Sequence, residues 1–121
     1  MDIKLENNDL RIMVRSKGAE LRLLQEKKDG TDYLWNGDPS WWKYCSPILF
    51  PIVGKVNNGK YKVYELHQHG LGRISEFELV NKATDSVSLK LRYSDETLKV
   101  YPYKFELTVS YVLTGKSVNV T

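Results

Sequence analysis

The sequence predicts an all-β protein built from antiparallel strands, and three features of its 121 residues support this. Along residues 87–93 and 105–113, an apolar residue occupies every second position, with mostly polar residues between them. Segments rich in Asn and Gly separate the strand candidates. No segment has the apolar spacing of an amphipathic helix of ordinary length. One buried and one solvent-facing side per strand is typical of antiparallel sheets.

Strand candidates and turns follow one another along the chain. We predict strands over residues 3–6, 10–15, 20–25, 33–35, 60–66, 75–81, 87–93, 105–113 and 117–121. Reversals are expected at residues 7–8, 29–30, 57–59 and 114–116, because Asn and Gly tolerate positive φ. Residues 95–99 are predicted to form one helical turn, which Ser94 or Asp95 caps and Pro102 ends.

Residues 35–56 interrupt the alternation with tryptophan, proline and glycine. Two prolines within the apolar run 47–53 argue against a central strand, so a long irregular loop is expected. Such loops often carry binding groups on a β scaffold. Five aromatic residues fall within a dozen positions at its start: Tyr33, Trp35, Trp41, Trp42 and Tyr44. Their rings could stack on the C–H face of a sugar, although core packing is the simpler explanation for any single one.

The composition excludes several classes of protein. Hydrophobic residues make up 41% and charged residues 27% of the chain, as in an ordinary globular domain. The formal charge is +3, and the basic residues alternate with apolar ones instead of clustering, so no nucleic-acid partner is expected. No apolar stretch approaches the roughly 20 residues of a membrane span, so no membrane partner is expected either.

The N-terminus and the cysteine content bear on localisation. Residues 1–4 are not followed by the apolar segment that is typical of a secretory signal peptide. The single cysteine, Cys45, has no second cysteine in the chain to pair with. Both features favour a reducing, cytoplasmic setting.

The two histidines, His67 and His69, would share one face if they lay on a strand. Zinc usually takes three or four protein ligands, and Cys45 is distant in sequence, so neither a metal nor another cofactor is expected. One histidine at the surface and one partly buried is the plain alternative. Gly70 and Gly72 follow, and they permit either close approach of a ligand to the backbone or a β-bulge.

Six short motifs run along the chain in order. They are Gly-Ala-Glu-Leu at 18–21, Tyr-Leu-Trp at 33–35, Gly-Asp-Pro-Ser-Trp-Trp at 37–42, Ser-Pro-Ile-Leu-Phe-Pro-Ile-Val-Gly-Lys at 46–55, Gln-His-Gly-Leu-Gly-Arg at 68–73 and Tyr-Pro-Tyr-Lys-Phe at 101–105. In order and spacing they resemble the LacX-like branch of the aldose 1-epimerase (galactose mutarotase-like) family. The resemblance covers nearly the whole chain.

The resemblance implies a fold and a reaction. The family fold is a large antiparallel β-sandwich, the galactose mutarotase-like supersandwich, usually more than twice as long as this chain. Residues 1–121 would be the N-terminal part of one such domain. The reaction interconverts the α and β anomers of an aldose, here a hexose or hexose phosphate, by acid/base opening of the ring.

The resemblance also implies site residues. His69 matches the catalytic histidine that hydrogen-bonds near the ring oxygen, and Arg73 matches the motif arginine, whose planar guanidinium suits an anionic group. Lys55 and Trp42 are expected to contact the sugar. Lys55 stands where arginine is usual, so the charge is kept and the fork is lost. Leu71 replaces the usual phenylalanine.

The family places a second histidine and a glutamate base beyond the segment that this chain matches. We therefore expect the acid/base set to be incomplete in these 121 residues. Two alternatives stay open: a non-catalytic carbohydrate-binding module and a structural β-domain with an interaction role. A truncated sandwich would expose sheet edges, and these would favour a homo-oligomer.

Overall fold

A computed structural model describes all 121 residues, except for the side chain of Tyr61. Nine strands and one helix form in chain order. They are β1 (Asp2–Glu6), β2 (Leu10–Arg15), β3 (Glu20–Glu26), β4 (Lys60–Tyr61), β5 (Tyr64–Glu65), β6 (Glu78–Lys82), β7 (Ser86–Arg92), α1 (Asp95–Val100), β8 (Glu106–Thr114) and β9 (Ser117–Val120). Two 3₁₀ turns lie at Asn57–Gly59 and Gly72–Ile74. The described part of the chain has no helix with the length and apolar character needed to cross a bilayer.

The first sheet contains β1, β2 and β3 in that order, and all its pairs are antiparallel. Asn7 sets the first reversal, because its Oδ1 accepts hydrogen bonds from the backbone N–H groups of Asp9 and Leu10, at 2.9 and 2.8 Å. Such Asx turns suit asparagine between two strands. An irregularity between Met13 and Val14 shifts the register of β2 against β3.

The second sheet contains β6, β7, β8 and β9 in order, again antiparallel throughout. Helix α1 connects β7 to β8. The Ser94 hydroxyl accepts from the backbone N–H of Thr97, and the Thr97 hydroxyl accepts from the backbone N–H of Ser94. This reciprocal cap satisfies two donors that the start of a helix leaves free, and it confirms Ser94 as the predicted cap.

One hydrophobic core joins the two sheets. Ile12 and Val14 of the first sheet and Val87 and Leu89 of the second are all fully buried within it. Tyr111 of β8 extends across this core and donates its hydroxyl to the carbonyl of Ala19, at 2.7 Å. The all-β, antiparallel prediction is confirmed, and the alternation in β7 and β8 marks the buried faces correctly.

Three of the predicted strands are wrong in extent. Residues 33–35 form no strand, and the nearby pairing is an isolated bridge between Gln25 and Asp32. Residues 60–66 form the short β4–β5 hairpin, which reverses where Lys62 has a φ of +57°. In place of a strand over residues 75–81, β6 begins at Glu78, because Ser75 only bends out of the Gly72–Ile74 turn and Glu76 forms an isolated bridge to Lys17.

We expect Tyr111→Phe to lower the free energy of unfolding by about 1–3 kcal/mol, because the buried carbonyl of Ala19 loses its donor. Urea unfolding of both proteins near neutral pH measures this difference. An unchanged midpoint would show that water replaces the hydroxyl.

The same residue predicts an alkaline effect. Burial raises the pKa of Tyr111 to about 12. The ordinary value of a tyrosine, which applies in the unfolded chain, is about 10. The neutral phenol therefore stabilises the fold fully below that value, and the contribution is lost as the pH rises towards the folded-state pKa. Tyr111→Phe should lose stability less steeply over this range.

Candidate functional site

The aromatic loop, residues 35–56, is fastened to the first sheet by a buried carboxylate. Glu20 is 4% exposed, and its Oε1 accepts from the backbone N–H groups of Cys45 and Ser46, the second at 3.1 Å. The Ser46 hydroxyl donates to the carbonyl of Leu21 at 2.8 Å. A carboxylate can be buried at tolerable cost when hydrogen-bond donors satisfy it, and here two backbone amides do so. The loop is irregular, as predicted, yet it is firmly anchored.

The same loop holds the His-Gly segment, residues 69–72. The carbonyl of Phe50 accepts from the backbone N–H groups of Leu71 and Gly72, at 2.7 and 3.0 Å. Gly70 has a φ of +76°, and a Cβ at this position would overlap the carbonyl oxygen of Phe50. Of the two interpretations of these glycines, close backbone approach therefore applies to Gly70, and the group that approaches is the protein's own loop.

Gly54 holds His69 through two hydrogen bonds, one to its backbone and one to its ring. Its backbone N–H donates to the Gly54 carbonyl at 2.7 Å, and its Nδ1 accepts from the Gly54 N–H at 2.8 Å. Because Nδ1 is an acceptor, the proton of the neutral ring is on Nε2. His69 is half-buried with a φ of +64°. The structure thus fixes the ring and leaves Nε2–H as a donor, with the Gln68 amide 3.5 Å away.

Arg73 lies on the 3₁₀ turn Gly72–Ile74, and its guanidinium carbon is 4.6 Å from the centroid of the Tyr44 ring. This is within the range of a cation–π contact. Its Nε is shielded from solvent and has no hydrogen-bond partner in the described part of the chain. Arg73 lines a cavity of about 360 Å³ that also borders β2, β3 and the aromatic loop.

The four predicted site residues fall into two groups. Trp42 packs edge-on against Tyr44, with ring centroids 6.0 Å apart, so Trp42 and Arg73 meet at the same ring. Lys55 is exposed and directly follows Gly54, the residue that pairs with His69. Of the side chains that the structure describes, those of His69, Lys55 and Trp42 do not line the cavity beside Arg73. Their joint role in sugar binding stays a prediction.

His67 does not share a strand face with His69. Residues 67–70 form a turn, in which the Gly70 N–H donates to the His67 carbonyl at 2.8 Å. His67 lines a different cavity, of about 370 Å³, together with Glu65 and Leu71. The positive φ at His69 and Gly70 breaks the strand geometry on which the shared face depended.

The sequence did not indicate the contacts of Tyr44, and it gave no sign of four cations near the site. Tyr44 is one of five aromatic residues with no distinguishing signal, and the structure makes it the ring that Arg73 and Trp42 share. The cations that line the cavity with Arg73 are Arg15, Lys17, Arg22 and Lys43. In the sequence they are ordinary charges on strands or turns, so no local pattern singles them out.

A sequence profile of the family described as Aldose 1-epimerase matches residues 1–121, the whole chain. Among curated relatives, the plasmid-encoded LacX of Lactococcus lactis subsp. lactis is 37% identical over 127 residues. The match covers 98% of this chain and 42% of that protein. The chromosomal LacX of the same organism is 36% identical with the same coverage. This chain therefore spans less than half the length of these relatives.

Solved structures show a similar fold and the same partial coverage. A galactose mutarotase related enzyme from Lactobacillus acidophilus is 37% identical, with a TM-score of 0.92 over 95% of this chain and 40% of that one. A galactose mutarotase-like protein from Lactobacillus casei is 35% identical, with a TM-score of 0.95 over 99% and 42% of the two chains. The supersandwich prediction is thereby confirmed as far as this chain extends.

Gly70→Ala tests the contact between the loop and the His-Gly segment. We expect a loss of more than about 2 kcal/mol, because left-handed backbone costs an alanine about 1–2 kcal/mol and the methyl group also overlaps the Phe50 carbonyl. Gly30→Ala is the matched control: Gly30 has a φ of +75° with nothing within 4 Å of an added Cβ. Chemical denaturation of both variants isolates the steric part, and equal losses would contradict it.

Proposed function

Because this chain belongs to the aldose 1-epimerase family, we propose that it forms one wall of a sugar site for interconversion of α and β anomers. The substrate class is an aldose, either a hexose or a hexose phosphate. The observation that carries the proposal is the fixed His69 ring, whose Nδ1 is held as an acceptor by the Gly54 N–H. The hexose is a small-molecule partner, and the chemistry needs no cofactor.

Anomer exchange requires two proton transfers. A base removes the proton of the anomeric hydroxyl while an acid protonates the ring oxygen, and the C1–O5 bond breaks to give the open-chain aldehyde. Rotation about the C1–C2 bond and reclosure then produce the other anomer. His69 Nε2–H serves as the proton donor to the ring oxygen. Nδ1 cannot take this role, because it accepts the hydrogen bond from the Gly54 N–H.

The remaining predicted residues bind the sugar. Trp42 is 48% exposed and offers an aromatic face for the C–H side of a pyranose. Lys55 and Arg73 supply positive charge, as a compact ammonium and a planar fork respectively. The base is proposed to come from outside these 121 residues, because the chain covers 42% of its curated relatives and its other histidine lines a separate cavity.

Exposed tryptophans favour a second candidate, a carbohydrate-binding module without turnover. Trp41 is 82% exposed and Trp42 48%. Such a module would use the same wall to hold a sugar while lacking the complete acid/base set. A cytoplasmic location fits either candidate and is proposed for both.

Polarimetry of freshly dissolved α-glucose and α-galactose tests the enzyme. The longest product of the gene is expected to accelerate mutarotation, and His69→Gln should slow it by about 100-fold or more, as for loss of a general acid. His67→Gln is the control and should leave the rate unchanged. An unaltered rate in His69→Gln would contradict the assignment of His69 as the proton donor. Sugar-dependent tryptophan fluorescence without any acceleration would favour the binding module.

Self-association is proposed through the sheet edges, which are β1 and β3 in the first sheet and β6 and β9 in the second. Unpaired strand edges offer backbone donors and acceptors to another chain. Light scattering of the 121-residue chain is expected to report a dimer or larger species. A monomer at all working concentrations would refute this.

A further inference from the structure

Gln68 and His69 occupy the two central positions of one tight turn. The Gly70 N–H donates to the His67 carbonyl at 2.8 Å, which closes a turn over residues 67–70. His69 is the third residue of this turn and has a φ of +64°. A type II turn requires a positive φ at that position, and glycine or asparagine usually supplies it. A histidine held there points to a role for its ring, since backbone conformations of this kind are concentrated at functional sites.

The same turn brings together two side chains that a strand would separate. Neighbouring residues on a strand project to opposite faces. Here the Gln68 carboxamide instead lies beside the His69 ring, with its Nε2 3.5 Å from the ring Nε2. Gln68 is exposed, and in the described part of the chain its side chain has no other hydrogen-bond partner. The amide therefore lies next to the ring and remains available to a ligand.

The proton on His69 decides how the amide can face the ring. Nδ1 accepts from the Gly54 N–H, so Nε2 carries the ring proton. An amide NH₂ group opposite Nε2–H would set one donor against another, whereas the amide oxygen would accept from it. Rotation of the carboxamide by half a turn exchanges the two. At 3.5 Å either contact is long, so an incoming oxygen atom can displace the amide readily.

An oxygen atom bound at His69 Nε2 would bring its neighbours close to the Gln68 amide. Under the proposed function this atom is the ring oxygen of the aldose. The ring oxygen links C1, which carries the anomeric hydroxyl, to C5, which in a hexopyranose carries the hydroxymethyl group. These two hydroxyls are therefore the candidates for contact with the amide. A carboxamide has both donors and an acceptor and can bind either one.

The reaction distinguishes the two hydroxyls. The anomeric hydroxyl loses its proton to the base and moves from one face of the ring to the other. A fixed contact to it would hold one anomer better than the other. The C6 hydroxyl takes no part in ring opening and is the same in both anomers. An amide on this hydroxyl can hold both anomers equally well.

We infer that Gln68 is a specificity-determining residue that binds the C6 hydroxyl of the aldose while His69 Nε2–H contacts the ring oxygen. The inference rests on the proposed function for the position of the ring oxygen. It predicts a preference for hexoses over pentoses, because a pentopyranose has no hydroxymethyl group at C5. The amide is neutral and exposed, so the preference is expected to be modest.

Equilibrium binding tests the inference without requiring turnover. Calorimetry on the longest product of the gene would compare glucose with 6-deoxyglucose, which lacks the C6 hydroxyl, and with xylose, which lacks C6 altogether. We expect glucose to bind about 3- to 10-fold more tightly than either analogue, as for one hydrogen bond between neutral groups. Equal affinities for glucose and 6-deoxyglucose would overturn the inference, and so would the absence of binding by all three sugars.

Variants assign the preference to its residue. Gln68→Ala should weaken the binding of glucose and leave that of 6-deoxyglucose unchanged, which removes the preference. Gln68→Glu keeps an acceptor and should recover part of it. Asn8→Ala removes an exposed carboxamide from the turn between β1 and β2 and is the matched control. Circular dichroism checks folding. Equal losses for both sugars would show that Gln68 acts only by positioning His69, and would contradict the inference.

The inference and the proposed reaction fail separately. A preference for glucose that Gln68→Ala abolishes, in a protein without mutarotation, would keep the sugar contact and remove the enzyme. Mutarotation of glucose and 6-deoxyglucose with equal kcat/KM, both before and after Gln68→Ala, would keep the enzyme and remove the role of Gln68.

Discussion

The geometry of the candidate site depends on one carbonyl oxygen, that of Phe50. It accepts two backbone hydrogen bonds from Leu71 and Gly72 and so joins the aromatic loop to the His-Gly segment. The approach is so close that only glycine fits at position 70. The Phe50 ring packs against Phe105, with centroids 4.9 Å apart, and this contact ties the junction to the segment that leads into β8. Backbone pairing, and not a strand, therefore fixes the orientation of His69.

Glu20 extends this control from the loop to the first sheet. Its buried carboxylate holds the amides of Cys45 and Ser46, and the neighbouring Arg22 holds the Lys43 carbonyl. Tyr44 lies between these anchored residues, so the backbone that carries its ring is positioned against β3. Since Arg73 stacks on that ring, the sheet, the loop and the 3₁₀ turn are linked in one continuous set of contacts.

The sequence predicts well what depends on local pattern. Alternation identifies Val87 and Leu89 as buried, and Ser94 caps the helix because capping needs only neighbouring residues. It fails at the β4–β5 hairpin, where Lys62 has a positive φ that its residue type does not favour, and wherever tertiary contacts decide. The basic cavity is the clearest case, because Arg15 and Arg22 look like solvated strand charges. They meet only because β2 pairs with β3 and the loop then folds back over both.

The two groups of site residues have different chemistry, and backbone hydrogen bonds hold the segment between them. His69 is fixed by Gly54 at one end, Arg73 is fixed by Tyr44 at the other, and the Phe50 carbonyl holds the residues between. Because these contacts exist before any ligand binds, little ordering of the backbone would oppose binding at either end. The imidazole and the guanidinium keep separate positions, since the carbonyl that excludes a side chain at position 70 also sets the path of the chain between them.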